Sequence, residues 1–420
     1  MSAWPGFART FTGGVNILSF DSTPTRFIGL DIHKFYMVAA GVDTDQNEVL
    51  SPQRVTWERF DAWIARTLTP RDAVVIEMTT NTWDVYDALI EHVHSVTVVH
   101  PPHVKAVINP QVMTDKIAAR TLAKLLAAKL LVSIWVPTRE VRDLRMLVAE
   151  HHKMTVLGAT AKHRLHALLH RHRIKPEAGL EIFHPDVRPW WNLLHLSPAE
   201  KACMNTDLDT LAFAQAQKKA LDKALSECAA QDERVPLLIQ LPGVGMLTAI
   251  TVLAAIGDIR RFPDEDHLVG YAGLGASVHT SGEKHTTGRI TKHGRRDLRR
   301  VMVNAANHAV QDHPYWKKEL ARLEPKLGRS RAVVRIARRL LMAVWHVLTK
   351  DTADKYNDAR SVACSLFAHA YRVKVRNLGG MSAKEWTRHQ LDRMGIGREL
   401  SEIPWGTKRV KLPPSRLKKG

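Results

Sequence analysis

Asp31 stands inside the short apolar run 27–32, where a charge costs several kcal/mol unless something compensates it. Glu77 closes a second apolar run, 73–76, and Asp115 opens an Ala- and Leu-rich stretch directly after Thr114. If the runs are strands and the stretch is a helix, three carboxylates arrive from a first strand, a later strand and a following helix. They can then converge at one sheet edge. Oxygen ligands of this kind suit Mg²⁺, which takes hard donors and activates water or a phosphate. Each acid also has a plainer account, as an exposed charge or, for Asp115, as an acid favoured at a helix start by the dipole. Spacing alone leaves both accounts open.

A second chemical segment is basic and rich in glycine. Tyr271-Ala272-Gly273-Leu274 leads to Ser281-Gly282, then to Gly288-Arg289-Ile290-Thr291-Lys292-His293-Gly294-Arg295-Arg296. From Arg289 to Arg300 there are six Arg or Lys and one acid, Asp297. Glycines let backbone approach a phosphate closely, and arginines grip it bidentately. Ser281 could serve as a nucleophile toward a phosphodiester, with the surrounding charge stabilising the phosphorane. Phosphate binding without chemistry, through Lys284, Arg289, Lys292, Arg295, Arg296 and Arg299, is the simpler reading of the composition. The turn Leu241-Pro242-Gly243-Val244-Gly245 reads as a helix-hairpin-helix element whose amides at Gly243 and Gly245 hold phosphate. His163, His166 and His170 share a helical face, but nothing nearby completes a tetrahedral zinc set, which leaves polar surface or RNA contact. Glu140 and Asp143, flanked by Arg139, Arg142 and Arg145, read as a solvated salt-bridge face.

These residues need elements to hold them. Apolar runs at 27–32, 36–42, 73–76 and 95–99 predict four strands, with helices over 57–66 and 81–92 between them. That alternation predicts one mixed α/β layer with helices packed on it. After Pro101 the pattern becomes helical. Residues 114–131 carry Ala and Leu at helical spacing. Residues 138–172 predict a long helix with Thr138 as its cap and a middle weakened by Gly158, and 199–229 predict its antiparallel partner. The domains expected are a flexible arm (1–24), an α/β domain (25–137), a helical coiled-coil linker (138–233), a mainly helical domain with a Gly-rich loop at 270–294 (234–350), and a basic C-terminal extension (351–420). The last stretch, 408–420, has six basic residues and no acid, and is expected to be a disordered tail or one ordered by nucleic acid.

Composition narrows the partners. The chain has 420 residues, with 61 Lys and Arg against 42 Asp and Glu, for a formal charge of +19. This favours a polyanion, nucleic acid ahead of membrane lipid. Apolar residues at 45% argue against overall disorder. No run approaches the roughly 18 apolar residues of a membrane span. Three cysteines without C-x-x-C spacing and the lack of a basic-then-apolar leader predict a cytoplasmic chain with incidental thiols.

Taken together, the motifs match a family. Gly29-Leu30-Asp31-Ile32-His33-Lys34, Ile76-Glu77, and Thr114-Asp115-Lys116-Ile117 followed by Ala119-Arg120 resemble the RuvC-like domain of the insertion-sequence-110 transposases. The 241–245 turn, Tyr271-Ala272-Gly273-Leu274, Ser281-Gly282 and Ile290-Thr291-Lys292-His293-Gly294 resemble that family's C-terminal transposase domain. The likeness covers about residues 25–350. It implies an RNase H-like acidic site of two-metal type, with Asp31, Glu77 and Asp115 as Mg²⁺ ligands, and Ser281 as a nucleophile that forms a phosphoserine link to DNA. It further implies a bridge RNA that pairs with donor and target DNA, a homodimer that pairs into a tetramer, and nucleic-acid contacts that include Lys34, Lys116 and Arg120. In one position the chain departs from the family: the fourth acid, expected three residues after Asp115, is Ala118. Two rivals stay open beside the recombinase, namely a RuvC-type nuclease of branched DNA and a nucleic-acid-binding form disabled by Ala118.

Overall fold

The computed structural model describes residues 23–107, 114–281, 284–374 and 378–417, with the side chains of 278–287 excepted. These fall into two compact units, one ending at Pro137 and one beginning at Thr138.

The first unit is a five-stranded sheet with helices on both faces. Its elements are β1 (Arg26–Ile32), β2 (Tyr36–Asp43), β3 (Glu48–Thr56), α1 (Phe60–Thr67), β4 (Asp72–Glu77), α2 (Thr82–Leu89), β5 (Ser95–Val99), α3 (Pro101–Val107) and α4 (Asp115–Ala127). Strand order is β3-β2-β1-β4-β5. The first three strands pair antiparallel, whereas β1–β4 and β4–β5 pair parallel. The mixed layer and the four predicted strands are present. β3 is absent from the sequence expectation, because a strand with a single buried residue, interrupted by Pro52, leaves little apolar periodicity to read.

Alternation assigns the faces. Ile28, Leu30 and Ile32 of β1, with Val74 and Ile76 of β4, join the core under α1 and α2. Side chains alternate along a strand, so Gly29 and Asp31 of β1, and Val75 and Glu77 of β4, belong to the opposite face. There α4 packs through Ala119, Leu122 and Leu125.

The second unit opens with two long helices, α5 (Arg139–Arg171) and, after the short α6 (Arg188–Asn192), α7 (Pro198–Gln231). His151 meets Asp222 at 3.0 Å, Arg164 meets Asp207 at 2.6 Å and His172 meets Glu200 at 2.7 Å. The pairs descend one helix as they climb the other, so the two run antiparallel. Thr138 holds the N-cap position of α5 but its side chain makes no capping hydrogen bond. Gly158 does not interrupt the helix, because the partner helix supports it on its buried side. A Cβ there would lie 3.6 Å from that of Ala214, an ordinary contact. Gly158→Ala is therefore expected to stabilise the protein by about 0.5–1 kcal/mol, seen as a raised thermal midpoint.

The rest of the unit comprises α8 (Val235–Ile239), α9 (Met246–Ile256), α10 (Glu265–Tyr271), β6 (Ala276–Ser281), β7 (Lys284–Ile290), α11 (Arg296–Asp312), α12 (Pro314–Leu327), α13 (Arg329–Lys350), α14 (Ala359–Val373), α15 (Ala383–Arg393), β8 (Glu402–Trp405) and β9 (Lys408–Lys411). α9, apolar all round, is the centre of the largest core, and Leu144 and Val148 of α5 reach it. The carbonyls at its C-terminal end are taken by guanidinium groups, one of them distant in the chain: Arg145 bonds to Ala254 and Ala255 at 2.7 and 3.0 Å, Arg261 to Ile256 at 2.9 Å and Arg234 to Gly257 at 2.7 Å. Arg145 is thus no part of a solvated salt-bridge face. Cations suit a helix C-terminus, where unpaired carbonyls and the dipole both attract them.

Two further expectations are corrected. The 270–294 segment is not a loop but α10 followed by an antiparallel β6–β7 hairpin, since Val278, Thr280, Thr286, Thr287 and Ile290 favour strands despite the glycines. Nor do residues 408–417 form a disordered tail: β9 pairs with β8, and Leu412 is buried in a separate core with Ile403, Leu366 and Trp386. Arg388, also buried, donates to the carbonyls of Pro413 and Gly397, which ties the segment after β9 to α15.

Candidate active site

In the first unit Asp31 and Glu77 occupy adjacent strands. The β1–β4 register pairs Leu30 with Ile76, so the two acids follow at the same level, at the C-terminal ends of parallel strands. Thr114 caps α4 through a bond from the Ile117 amide at 3.4 Å, and the cap sets Asp115 in the first helical turn. The helix can come this close because residue 29 is glycine. A Cβ there would lie 2.1 Å from the Ala119 carbonyl oxygen and 2.7 Å from the Ala123 nitrogen. Ala118 is one turn beyond Asp115 on the same helical side, half-buried, and offers no ligand atom.

Two residues that the spacing did not single out complete the cluster. The tight turn after β1, closed by the His33 amide on the Tyr36 carbonyl at 2.9 Å, folds both rings back over the acids. His33 Nε2 is 3.2 Å from Asp31 Oδ2 and 3.4 Å from Asp115 Oδ2. Tyr36 donates its hydroxyl proton to Asp115 Oδ2 at 2.9 Å, its ring stacked on His33 and covered by the Arg54 guanidinium at 3.8 Å. The signal available in sequence was Asp-x-His followed, after two residues, by a strand beginning with Tyr.

One ligand atom from each of Asp31, His33 and Asp115 falls within 4.8 Å of the others. Glu77 is not in that set, but it feels the Asp31 charge. Burial pushes the Asp31 carboxyl up; His33 opposes this and the Asp115 charge adds to it. Burial also raises Glu77, helped by the Asp31 charge and opposed by Lys105. Half-buried like charges that resist ionisation together are a donor set a hard divalent cation would relieve. The unfolded chain ionises these acids more readily than the folded one, so their contribution to stability falls as pH rises above about 4 and through their raised values. Glu77→Gln is accordingly expected to gain thermal stability relative to the parent protein as pH rises from 4 to neutrality, on the order of the carboxylate titration range. A difference that stays flat with pH would count against this account.

In the second unit the two glycine motifs form one piece of structure. The backbone of Arg295 bonds to Tyr271 at 2.9 Å, Lys292 to Gly273 at 3.2 Å and Thr291 to Gly275 at 2.9 Å. Gly273 and Gly294, both at positive φ, sit where any side chain would strike a backbone carbonyl of the other segment, that of His293 and of Tyr271 respectively. Arg299 donates to the Ala272 carbonyl at 2.8 Å, and Arg295 is held by Asp297 at 2.5 Å. These residues carry the base of the β6–β7 hairpin, and Ser281 ends β6 opposite Lys284. The side chains of Ser281 and Lys284, and Gly282 entirely, lie outside the described residues.

The remaining candidates are spread. Lys34, Lys116, Arg289, Lys292 and Arg296 are exposed, and Arg120 pairs with Glu48 at 2.7 Å. Gly245 is open, whereas Gly243 is pressed on α11, 2.1 Å from the Ala305 oxygen for an added Cβ. His163, His166 and His170 are exposed on α5.

Among the described residues no helix is long and apolar enough to cross a membrane. A DEDD-type transposase model of the IS110 kind matches residues 28–174, and a model described as the IS116/IS110/IS902 transposase family matches 235–321. The transposase for insertion sequence element IS1111A of Coxiella burnetii is 24% identical over 78% of this chain and 90% of its own length. The pilin gene-inverting protein of Moraxella bovis is 26% identical over 77% of this chain and 96% of its own. The transposase for insertion sequence element IS1328 of Yersinia enterocolitica is 28% identical over 32% and 42%. With the acidic cluster inside the first model, the hairpin inside the second, and the two together spanning more than half of its length, the chain belongs to the IS116/IS110/IS902 family of DNA transposases.

Proposed function

We propose that this transposase cuts and rejoins DNA through a phosphoserine link formed by Ser281, guided by a bridge RNA, with an acidic site of Asp31, Glu77 and Asp115 that would hold divalent metal ions, Mg²⁺ first. The observation that carries the reading is the convergence of Asp31 and Asp115 beside Glu77 at the strand ends. Bound there, a divalent metal supplies charge stabilisation at phosphate.

The protein's own groups do the rest. The Ser281 oxygen bonds to phosphorus, and the bond from phosphorus to one bridging deoxyribose oxygen breaks. The serine proton ends on that departing oxygen as a free hydroxyl. Rejoining is the reverse, with a hydroxyl of another strand expelling the serine, so no phosphodiester energy is lost to water. The basic residues Lys284, Arg289, Lys292 and Arg296 neutralise the backbone, and binding weakens steeply with salt. A relative named for inverting a pilin gene supports rejoining over simple hydrolysis. Dimers that pair into a tetramer, a cytoplasmic location and the domain division at 25–137, 138–233, 234–350 and 351–420 belong to the same reading.

Ala118 favours a second reading, in which this chain binds RNA and DNA without cutting. The test is a covalent-adduct assay with bridge RNA, labelled donor and target DNA and Mg²⁺. It compares the chain, Ala118→Asp, and Ala118→Asp combined with Ser281→Ala. A DNA-linked band that disappears with Ser281 is the expected result. A band that also requires Asp at 118 identifies the disabled form. Free ends produced without Ser281 sink the recombinase reading.

A further inference from the structure

Residues beyond 321 lie outside both family models, yet α14, α15 and the β8–β9 hairpin share a core of their own. On the surface of this module Tyr371 and Trp405 form an open aromatic corner. Their ring centroids are 6.0 Å apart with planes at 52°. Tyr371 is 68% exposed and Trp405 36%. Phe367, buried beneath, meets Trp405 edge-on at 4.9 Å and holds it in place. Exposed rings fixed by a buried one are a surface feature that needs an account.

The charges beside them supply one. Lys408 stands directly across from Trp405 in the hairpin register, and Arg372, adjacent to Tyr371, is exposed. Glu402, the acid of the hairpin, is engaged by Arg409. Ring faces accept any base, and cations alongside follow the phosphates. A duplex keeps its base faces inside the stack, and an acidic peptide would use the cations while leaving the rings bare.

We propose that Tyr371 and Trp405, with Lys408 and Arg372, form a stacking platform for a single-stranded polynucleotide. The proposal rests on neither the acidic cluster nor Ser281. The test measures anisotropy of labelled oligouridine, oligothymidine and duplex DNA, each about 12 nucleotides long, on the full chain and variants. Tyr371→Ala is expected to weaken oligouridine or oligothymidine binding at least about tenfold, with Tyr371→Phe retaining it and duplex affinity unchanged. Whichever single strand suffers the loss identifies the natural ligand as RNA, DNA or both. Photo-crosslinking of the same oligonucleotides is expected to mark the peptides that contain Tyr371 or Trp405. Equal loss on duplex, or affinity unaltered with crosslinks only elsewhere, overturns the platform. So does self-association, by sedimentation, that Tyr371→Ala abolishes while single-strand binding persists.

Discussion

Asp31→Asn is expected to lower DNA cleavage by about 10³–10⁴-fold or more, the scale at which loss of one member of a catalytic unit is felt. Asp31 is the middle of the cluster, touching His33 and sharing charge with both Asp115 and Glu77. Asparagine keeps the shape and discards the charge, so the amide occupies the same place at the strand end but gives a cation little reason to stay. The fold should gain, because burial works against the Asp31 charge. The expected pair of results is therefore loss of cleavage, in the parent or the Ala118→Asp background, with a thermal midpoint equal to or above that of the parent. Calorimetry should show Mg²⁺ binding lost with it. Cleavage at the parental rate would remove Asp31 from the chemistry, and a lowered midpoint would mean that the carboxylate serves the fold instead.

Gly29→Val has the largest expected effect on structure. A valine Cβ would fall 2.1 Å from the Ala119 oxygen, 2.7 Å from the Ala123 nitrogen and 2.9 Å from the Leu122 Cβ. Two of these neighbours are backbone, which cannot swing aside as a side-chain tip can, so α4 must lift from β1 as a body. A cost above about 4 kcal/mol follows, in the class of core overpacking joined to loss of a packed helix. Amide exchange should report lost protection in β1 and α4, and cleavage should vanish because Asp115 leaves with its helix. Gly245→Ala is the control: that glycine is exposed, at negative φ, with nothing within 4 Å of an added Cβ. It should cost under about 1 kcal/mol.

The parts of this protein legible in its sequence are those whose order comes from periodic burial. β1, β2, β4 and β5 carry continuous apolar runs because both faces of the sheet are covered, and α5 and α7 repeat at helical spacing because each buries one stripe. What stayed hidden depends on contacts between distant residues. Arg145 looks like a surface charge until α9 presents its carbonyls more than a hundred residues later. His33 looks like a turn residue and Tyr36 like the plain start of a strand until α4 brings Asp115 to both. The 408–417 segment reads as a charged tail because its register with β8, and the burial of Leu412, cannot be inferred from composition. Element order allows Asp31, Glu77 and Asp115 to converge and the family resemblance implies them as one ligand set, whereas the geometry closes Asp31 and Asp115 through His33 and leaves Glu77 one strand away.

The donors gathered on the end of α9 bear on where this protein can be cut. Homology divides it after residue 174, inside the connection between α5 and α7. The compact unit, however, begins at Thr138, and Arg145 is bonded into its centre. A chimera between relatives joined at 174 would pair an arginine from one parent with carbonyls from another, and would leave Leu144 and Val148 to fit a foreign core. Exchange at 137 keeps both sides whole. Natural recombination between such elements should for the same reason leave its surviving crossovers near that junction, and seldom within the helix that follows it.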